Sequence, residues 1–314
     1  MKKIYGYRHT DLALELQEEF DQAVRQEGFL IETNALCGDK IRETVIKIQS
    51  EEAEKRFGKP KGTYITLEGE ELAGNNDLFH ENMSMRLAHH LKELMGDKEQ
   101  ILVAGLGNGE VTPDALGPLV IKNLFVTRHL ASFKEFADMR KSTTIAPGVM
   151  AQTGMETGEI LKGIIREVKP DIMLVIDALA AKNFERLNCT IQISDTGIAP
   201  GSGVGNRRKE ISERTMGIPV IALGVPTVIS IPAIASDILD CFAHSAEGNK
   251  MVDYLIKSEQ ERYEYLADIL EERLFGFFVT PKEIDESVKR ISYTISEGIN
   301  QFVAKKRYKF PGQA

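Results

Sequence analysis

Hydrophobic positions along the chain fall into two kinds of run. Ile101 to Ala104, Ile172 to Ile176 and Pro219 to Leu223 are short and continuously apolar, the pattern of strands covered on both faces. Ile41 to Ile48, Tyr64 to Leu67 and Thr190 to Ile193 read as further strands. Between and after them, apolar residues recur at one-turn spacing. Leu12, Leu16, Phe20 and Val24 predict a helix over Asp11 to Glu27, which Gly28 can end. Met83, Leu87, Leu91 and Leu94 predict one over Leu78 to Met95. Helices are also expected over Ala115 to Phe125, Met155 to Val168, Ile231 to Ala246, Ser258 to Leu274 and Lys282 to Lys305. The alternation of strand and helix predicts an α/β fold: a mostly parallel sheet with helices on both faces, plus a helical C-terminal third. No linker rich in Ser, Gly or Pro divides the chain, so one domain is expected rather than two.

Composition narrows the class. With 39 Lys and Arg against 47 Asp and Glu, the net charge is −8, which argues against a general nucleic-acid binder. No segment reaches the roughly 18 apolar residues of a membrane helix. The first ten residues are basic but lack the apolar core of a signal peptide. Cys37, Cys189 and Cys241 are scattered and odd in number, as expected of buried thiols in a reducing compartment. These features predict a soluble intracellular protein.

The chemistry concentrates where two apolar runs meet an acid. After Ile101 to Ala104 comes a glycine loop, Gly105-Leu106-Gly107-Asn108-Gly109-Glu110, and then Thr112-Pro113-Asp114. Thr112 can cap the following helix, Pro113 suits its first turn, and Asp114 lies near a positive helix end. Taken alone, Asp114 could simply stabilise that helix start. Asp177 follows Ile172 to Ile176, and a strand-end Asp could simply cap a turn. Together, two strands delivering an Asp each at a carboxyl edge suggest paired carboxylates, in which one keeps a proton while the other activates water. Other motifs fit poorly. A third glycine of a dinucleotide loop would fall on Glu110, and Gly201 to Arg208 lacks a Walker ending. Asp195-Thr196-Gly197 has the triplet of retroviral-type aspartic proteases, but the α/β rhythm is wrong for that fold, so Asp195 is read as a turn residue bordering the site. There is no HExxH, no GxSxG, and no obvious histidine ligand set.

Several blocks resemble the germination protease family of spore-forming bacteria: Gly105 to Asn108, Val111 to Pro118, Ala146 to Thr157, Ile176 to Ala181, Ile191 to Ile198, Pro200 to Asn206, Gly217 to Thr227, and Thr10 to Ala13. One departure is Gly109-Glu110, where the family more often has a bulkier residue and Asn. The resemblance implies an endopeptidase of small acid-soluble spore proteins, made as a self-processing zymogen and tetrameric, in the cytoplasm of the spore core. It implies a fold like that of hydrogenase-maturation proteases, with Asp114 and Asp177 as catalytic acids. No cofactor or metal is expected, and charge and hydropathy predict no nucleic-acid or membrane partner. Gly105, Gly107, Asn108, Asp195, Gly201 and Gly203 become candidates for holding the substrate backbone. The family cuts between an acidic–apolar pair and Ala, with Glu nearby. Asp11-Leu12-Ala13-Leu14-Glu15 matches, so the cut is expected between Leu12 and Ala13, dividing a propeptide (1–12) from a catalytic domain (13–314). The competing reading is a non-proteolytic metal- or nucleotide-binding module on the same scaffold, distinguished by its sensitivity to chelation; a third is a structural protein assembling through its C-terminal helices.

Overall fold

The computed structural model describes residues 12–13, 15, 25–26, 28–38, 40–201, 209–245, 266, 274 and 276–305. Its strands are β1 (Arg25–Gln26), β2 (Phe29–Leu36), β3 (Ile41–Ile48), β4 (Gly62–Glu68), β5 (Gln100–Gly105), β6 (Lys141–Ile145), β7 (Ile172–Ala181), β8 (Thr190–Ser194), β9 (Val220–Ser230) and β10 (Phe278–Val279). Its helices are α1 (Glu51–Phe57), α2 (Asp77–Met95), α3 (Leu116–Asn123), α4 (Met150–Thr153), α5 (Thr157–Val168), α6 (Glu213–Met216), α7 (Ile231–Ser245) and α8 (Ile284–Ala304).

The strands form one sheet in the order β1-β2-β3-β4-β8-β9-β7-β5-β6, with β10 on the far end of β9. The parallel part is β6, β5, β7 and β9. The remaining strands extend it antiparallel, so the sheet is mixed rather than mostly parallel. β1, β2 and β3 follow one another through short turns and so pair antiparallel, whereas β3–β4 and β8–β9 are antiparallel across the longer connections that hold α1 and α6.

Both faces of the parallel part are covered. Ile101, Val103, Leu174, Ile176 and Leu223 pack against a stripe from α2 and α8, including Met83, Leu87, Leu91, Ile291, Ile295 and Ile299. The alternate residues Leu102, Ala104, Met173 and Val175 face Leu161 of α5 and Met216 of α6. On that second face, a separate cluster (Phe29, Ile31, Ile46, Phe57, Tyr64) lies under α1 at the antiparallel end.

The helix expected over Asp11 to Glu27 is not what its end becomes. Arg25–Gln26 pairs with Phe29 and Leu30 around Gly28, because a short extended segment gains ladder hydrogen bonds that a helix end would lack. The rest of that expectation lies largely outside the described residues, as does the helix over Ser258 to Leu274. Strand β6 (Lys-Ser-Thr-Thr-Ile) has no apolar run to announce it and pairs only with β5, at the edge. Cys37 and Cys241 are exposed rather than buried; Cys189 is half-buried, and burial raises its thiol pKa.

One buried polar contact clamps α2 onto β3. Glu43 accepts from both Arg86 nitrogens, Nη2 at 2.7 Å, and lies 2.7 Å from His90 Nε2. Burial alone would raise the Glu43 pKa, but the bonds to Arg86 and His90 outweigh it and bring it from 4.5 to about 2. A depressed carboxylate pKa stabilises the fold above its unfolded value, and that stabilisation disappears as pH falls from 4.5 towards 2. Glu43→Gln should therefore cost about 3 kcal/mol at neutral pH and flatten the acid limb of stability. Urea unfolding from pH 7 down to 3 measures both; an unaltered acid limb contradicts the assignment.

Candidate active site

The site begins where β5 ends. A side chain on Gly105 would sit 2.2 Å from the carbonyl oxygen of Gly117, so β5 and α3 approach backbone to backbone. Leu106 N–H donates to the carbonyl of Ile176 at 2.8 Å, continuing the β5–β7 ladder one step. The chain then turns at Gly107, whose φ of +103° favours glycine. Beyond the loop, Thr112 to Asp114 form a single 3-10 turn and α3 starts only at Leu116. The expected cap from Thr112 is absent, since the intervening turn separates it from the helix. Asp114 does not cap α3 either: its Oδ2 accepts from Asn108 N–H at 2.7 Å, folding the carboxylate back over the glycine loop. Asn108 Oδ1 accepts from Glu110 N–H at 3.0 Å and Gln152 Nε2 at 3.1 Å, tying this loop to α4.

Asp177 is not at the end of its strand, as the sequence suggests. It is followed by Ala178 to Ala181 within β7, because β9 keeps pairing past it. It lies one residue beyond the Gly105–Ile176 pair, so it faces the mouth of the glycine loop from an interior strand. The side chain is 5% exposed and its Oδ1 accepts from Ala178 N–H at 3.0 Å. It shares the face of Met173 and Val175, the side covered by α5 and α6.

A third element fixes the pair. The β7–β9 register shifts after Leu179–Pro226, so Thr227 is the extra residue of a bulge. Proline lacks the N–H that regular pairing would need, which explains the bulge's position. The buried Thr227 hydroxyl donates to the carbonyl of Pro113 at 2.7 Å and so holds the turn that carries Asp114.

Asp114 and Asp177 line one cavity of about 440 Å³, together with Gly107, Leu179, Gly201 and Thr227. Gly105 and Asn108 are not among its lining residues; Asn108 reaches it only through its N–H bond to Asp114. Asp195 is elsewhere: exposed, its Oδ1 accepting from Thr63 N–H at 2.7 Å, it ties β8 to β4. Gly203 lies outside the described residues. Leu179 also borders a second cavity of about 280 Å³, lined by Tyr64, Gln192, Ser194 and Gly224 among others.

Residues on both sides of the expected cut sit on this same face. Leu12, Ala13 and Glu15 are all at most 2% exposed. Ala13 N–H donates to Gln192 Oε1. The Glu15 carboxylate accepts three main-chain bonds: Oε1 from Lys182 and Asn183 N–H, each at 2.9 Å, and Oε2 from Lys182 N–H at 3.1 Å. Gln192 and Asp177 are both directly opposite Gly224, one from each side, so their side chains share a face with no side chain between them except Leu179 leaning over the glycine. Two strand spacings, about 10 Å, separate their Cα atoms. Gln192 and the Lys182–Asn183 amides are not legible as site residues in the sequence. The one available signal is a lone amide between Ile191 and Ile193 in an apolar strand.

For a metal, the described residues offer one close group, His89, His90 and Glu93 on α2. Both ring nitrogens of His90 already meet carboxylates, and none of the three lines the cavity. Among the described residues no helix is long and apolar enough to cross a membrane.

A family profile described as germination protease matches residues 9–258. The chain is similar to the germination protease of Caldanaerobacter subterraneus subsp. tengcongensis, 42% identical, covering 95% of this chain and 94% of that one. It is similar to that of Clostridium tetani at 40%, over 93% and 94%. Among solved structures, a [NiFe] hydrogenase maturation protease, HycI from Thermococcus kodakarensis KOD1, matches at 17% identity and a TM-score of 0.34, over 67% of this chain and 98% of that one.

Proposed function

The chain belongs to the germination protease family, and from that premise we propose that it is a zymogen endopeptidase whose paired acids, Asp114 and Asp177, activate the water that cuts a peptide bond. The pair shares one proton. The ionised carboxylate takes a proton from water as the hydroxyl adds to the carbonyl carbon, and the protonated one hydrogen-bonds the carbonyl oxygen. As the C–N bond breaks, the acid that took the proton from water passes it to the leaving nitrogen, giving a new carboxylate and a new amine and restoring the singly protonated pair. Which acid is base depends on the pair's shared titration.

The first substrate is the chain itself, cut between Leu12 and Ala13. The observation that carries this reading is the bond from Ala13 N–H to Gln192: the nitrogen of the proposed scissile bond is held on the face of the sheet that bears Asp177, across a glycine. After processing, the enzyme acts on small acid-soluble spore proteins. These enter as extended chains, which thread a cleft at lower ordering cost than a folded domain that must first unfold. Family membership supports that substrate class, a homotetramer, and a place in the spore core.

Intact-mass spectrometry of the purified chain during incubation in mildly acidic buffer tests the proposal. The expected product has lost residues 1–12 and begins at Ala13. Loss of a different segment, or cleavage that vanishes only on chelation, contradicts it.

A further inference from the structure

We propose that the first turn of α5 holds the carbonyl oxygen of the bond being cut, with the Thr157 hydroxyl as its main donor. This rests on the paired-acid reading and adds the group that meets the negative charge formed when water adds.

The placement follows from packing. Leu161 of α5 lies in one apolar cluster with Met173 and Val175 of β7. Thr157 is one helical turn before Leu161 on the same helix face, and Asp177 comes two residues after Val175 on the same strand face. The helix belongs to the crossover between the parallel strands β6 and β7, so it runs back along the sheet. Its N-terminus therefore lies at the strand end that carries the acids. Thr157, Asp114 and Asp177 accordingly line one cavity.

Hydrogen-bond accounting shows what this turn still has to give. A helix start carries four N–H groups without helical partners. In α5 the Glu159 and Ile160 N–H groups both donate to the Glu156 carbonyl, at 2.9 and 3.3 Å. Glu156 N–H donates to Glu159 Oε2 at 3.3 Å. The N–H groups of Thr157 and Gly158 have no partner among the described residues, and neither has the Thr157 hydroxyl. Thr157 is only 8% exposed. A hydroxyl so buried is normally hydrogen-bonded. This one borders the cavity of the two acids, so its partner is what enters that cavity.

An oxygen gaining negative charge suits these donors. As hydroxide adds to the carbonyl carbon, the C=O electron pair moves onto oxygen. The hydroxyl and the positive helix end stabilise that oxygen more as an anion than as a carbonyl. They therefore lower the barrier and leave substrate binding nearly unchanged. When the C–N bond breaks, the pair returns to form the carbonyl of the new carboxyl group, and Thr157 is unchanged.

The test uses the processed full chain and an octapeptide copying residues 10–17. Thr157→Val keeps the side-chain shape and deletes the hydroxyl. It should lower kcat roughly 100-fold, with KM within about threefold. Thr157→Ser restores the hydroxyl and should recover kcat to within about fivefold of the wild type. Urea midpoints should match in all three, because the hydroxyl bonds nothing in the folded chain. A phosphinate peptide of the same sequence imitates the tetrahedral anion and should bind Thr157→Val roughly 100-fold more weakly than wild type. Wild-type kcat in Thr157→Val, or equal phosphinate affinity, overturns the proposal. So does a Thr157→Ser variant as slow as Thr157→Val, and so does a Thr157→Val variant that fails to fold, since the hydroxyl then holds structure. If Thr157→Val is fully active while Asp177→Asn is dead, the donor falls and the paired acids stand. A wild type that leaves the peptide intact overturns the endopeptidase reading, and the donor with it.

Discussion

Asp177→Asn and Asp114→Asn should each lower peptide-bond hydrolysis roughly 10⁴-fold, in self-cleavage and on added substrate, while the folded chain keeps its stability within about 0.5 kcal/mol. The substitution is close to isosteric and preserves what the structure shows each carboxylate accepting. An Asn oxygen at 177 can still take the Ala178 N–H, and one at 114 can still take the Asn108 N–H. What disappears is the capacity to gain and lose a proton at working pH. Each variant therefore separates chemistry from architecture: circular dichroism and urea midpoints report the second, and rates on a fixed peptide report the first. Near-full activity in either variant removes that residue from the mechanism.

The next largest effect should come from a residue with no functional group. Gly107→Ala places a Cβ 2.0 Å from the Asp114 carbonyl oxygen and 2.9 Å from its Oδ1, at a backbone φ of +103°. Neither the loop backbone nor the carboxylate can stay where it is. Strain of this kind costs about 1–3 kcal/mol. Displacing a reacting group by about 1 Å costs roughly 100-fold in rate. Gly217→Ala is the matching control: φ is +77° there, but the added methyl meets nothing within 4 Å. It should reproduce the backbone strain and leave the rate of cutting alone. If Gly107→Ala retains wild-type kcat, the loop does not position Asp114 as described.

The acids were legible because their neighbourhood carries a strong local signal. A continuously apolar run such as Ile172 to Ile176 is recognisable as an interior strand, so a carboxylate directly after it stands out. The extent of that strand was not legible. Ala178-Leu179-Ala180-Ala181 is neutral between states, and it stays extended because β9 runs alongside it. The bulge at Pro226–Thr227 depends on the same distant pairing, so the Thr227 bond to Pro113 had no local signature. Strand β6 failed for a different reason: its Lys-Ser-Thr-Thr-Ile sequence is what a polar edge strand allows and what a loop also allows. Asp114 was placed correctly beside the loop but with the wrong partner, since capping rules favour a helix N-terminus and the carboxylate instead folds back on Asn108. The motif around the expected cut was visible, whereas its hydrogen-bond partners, Gln192 and the amides of Lys182 and Asn183, are 179, 167 and 168 residues away along the chain.

The central claim is that Asp114 and Asp177 act on a single water molecule. A double-mutant cycle measures this directly, with kcat/KM on one peptide for the wild type, Asp114→Asn, Asp177→Asn and the double variant. If both groups serve one proton transfer, the double variant is no slower than the slower single variant, because the step is already lost. If the two losses multiply, the acids work independently and the shared-water mechanism is contradicted.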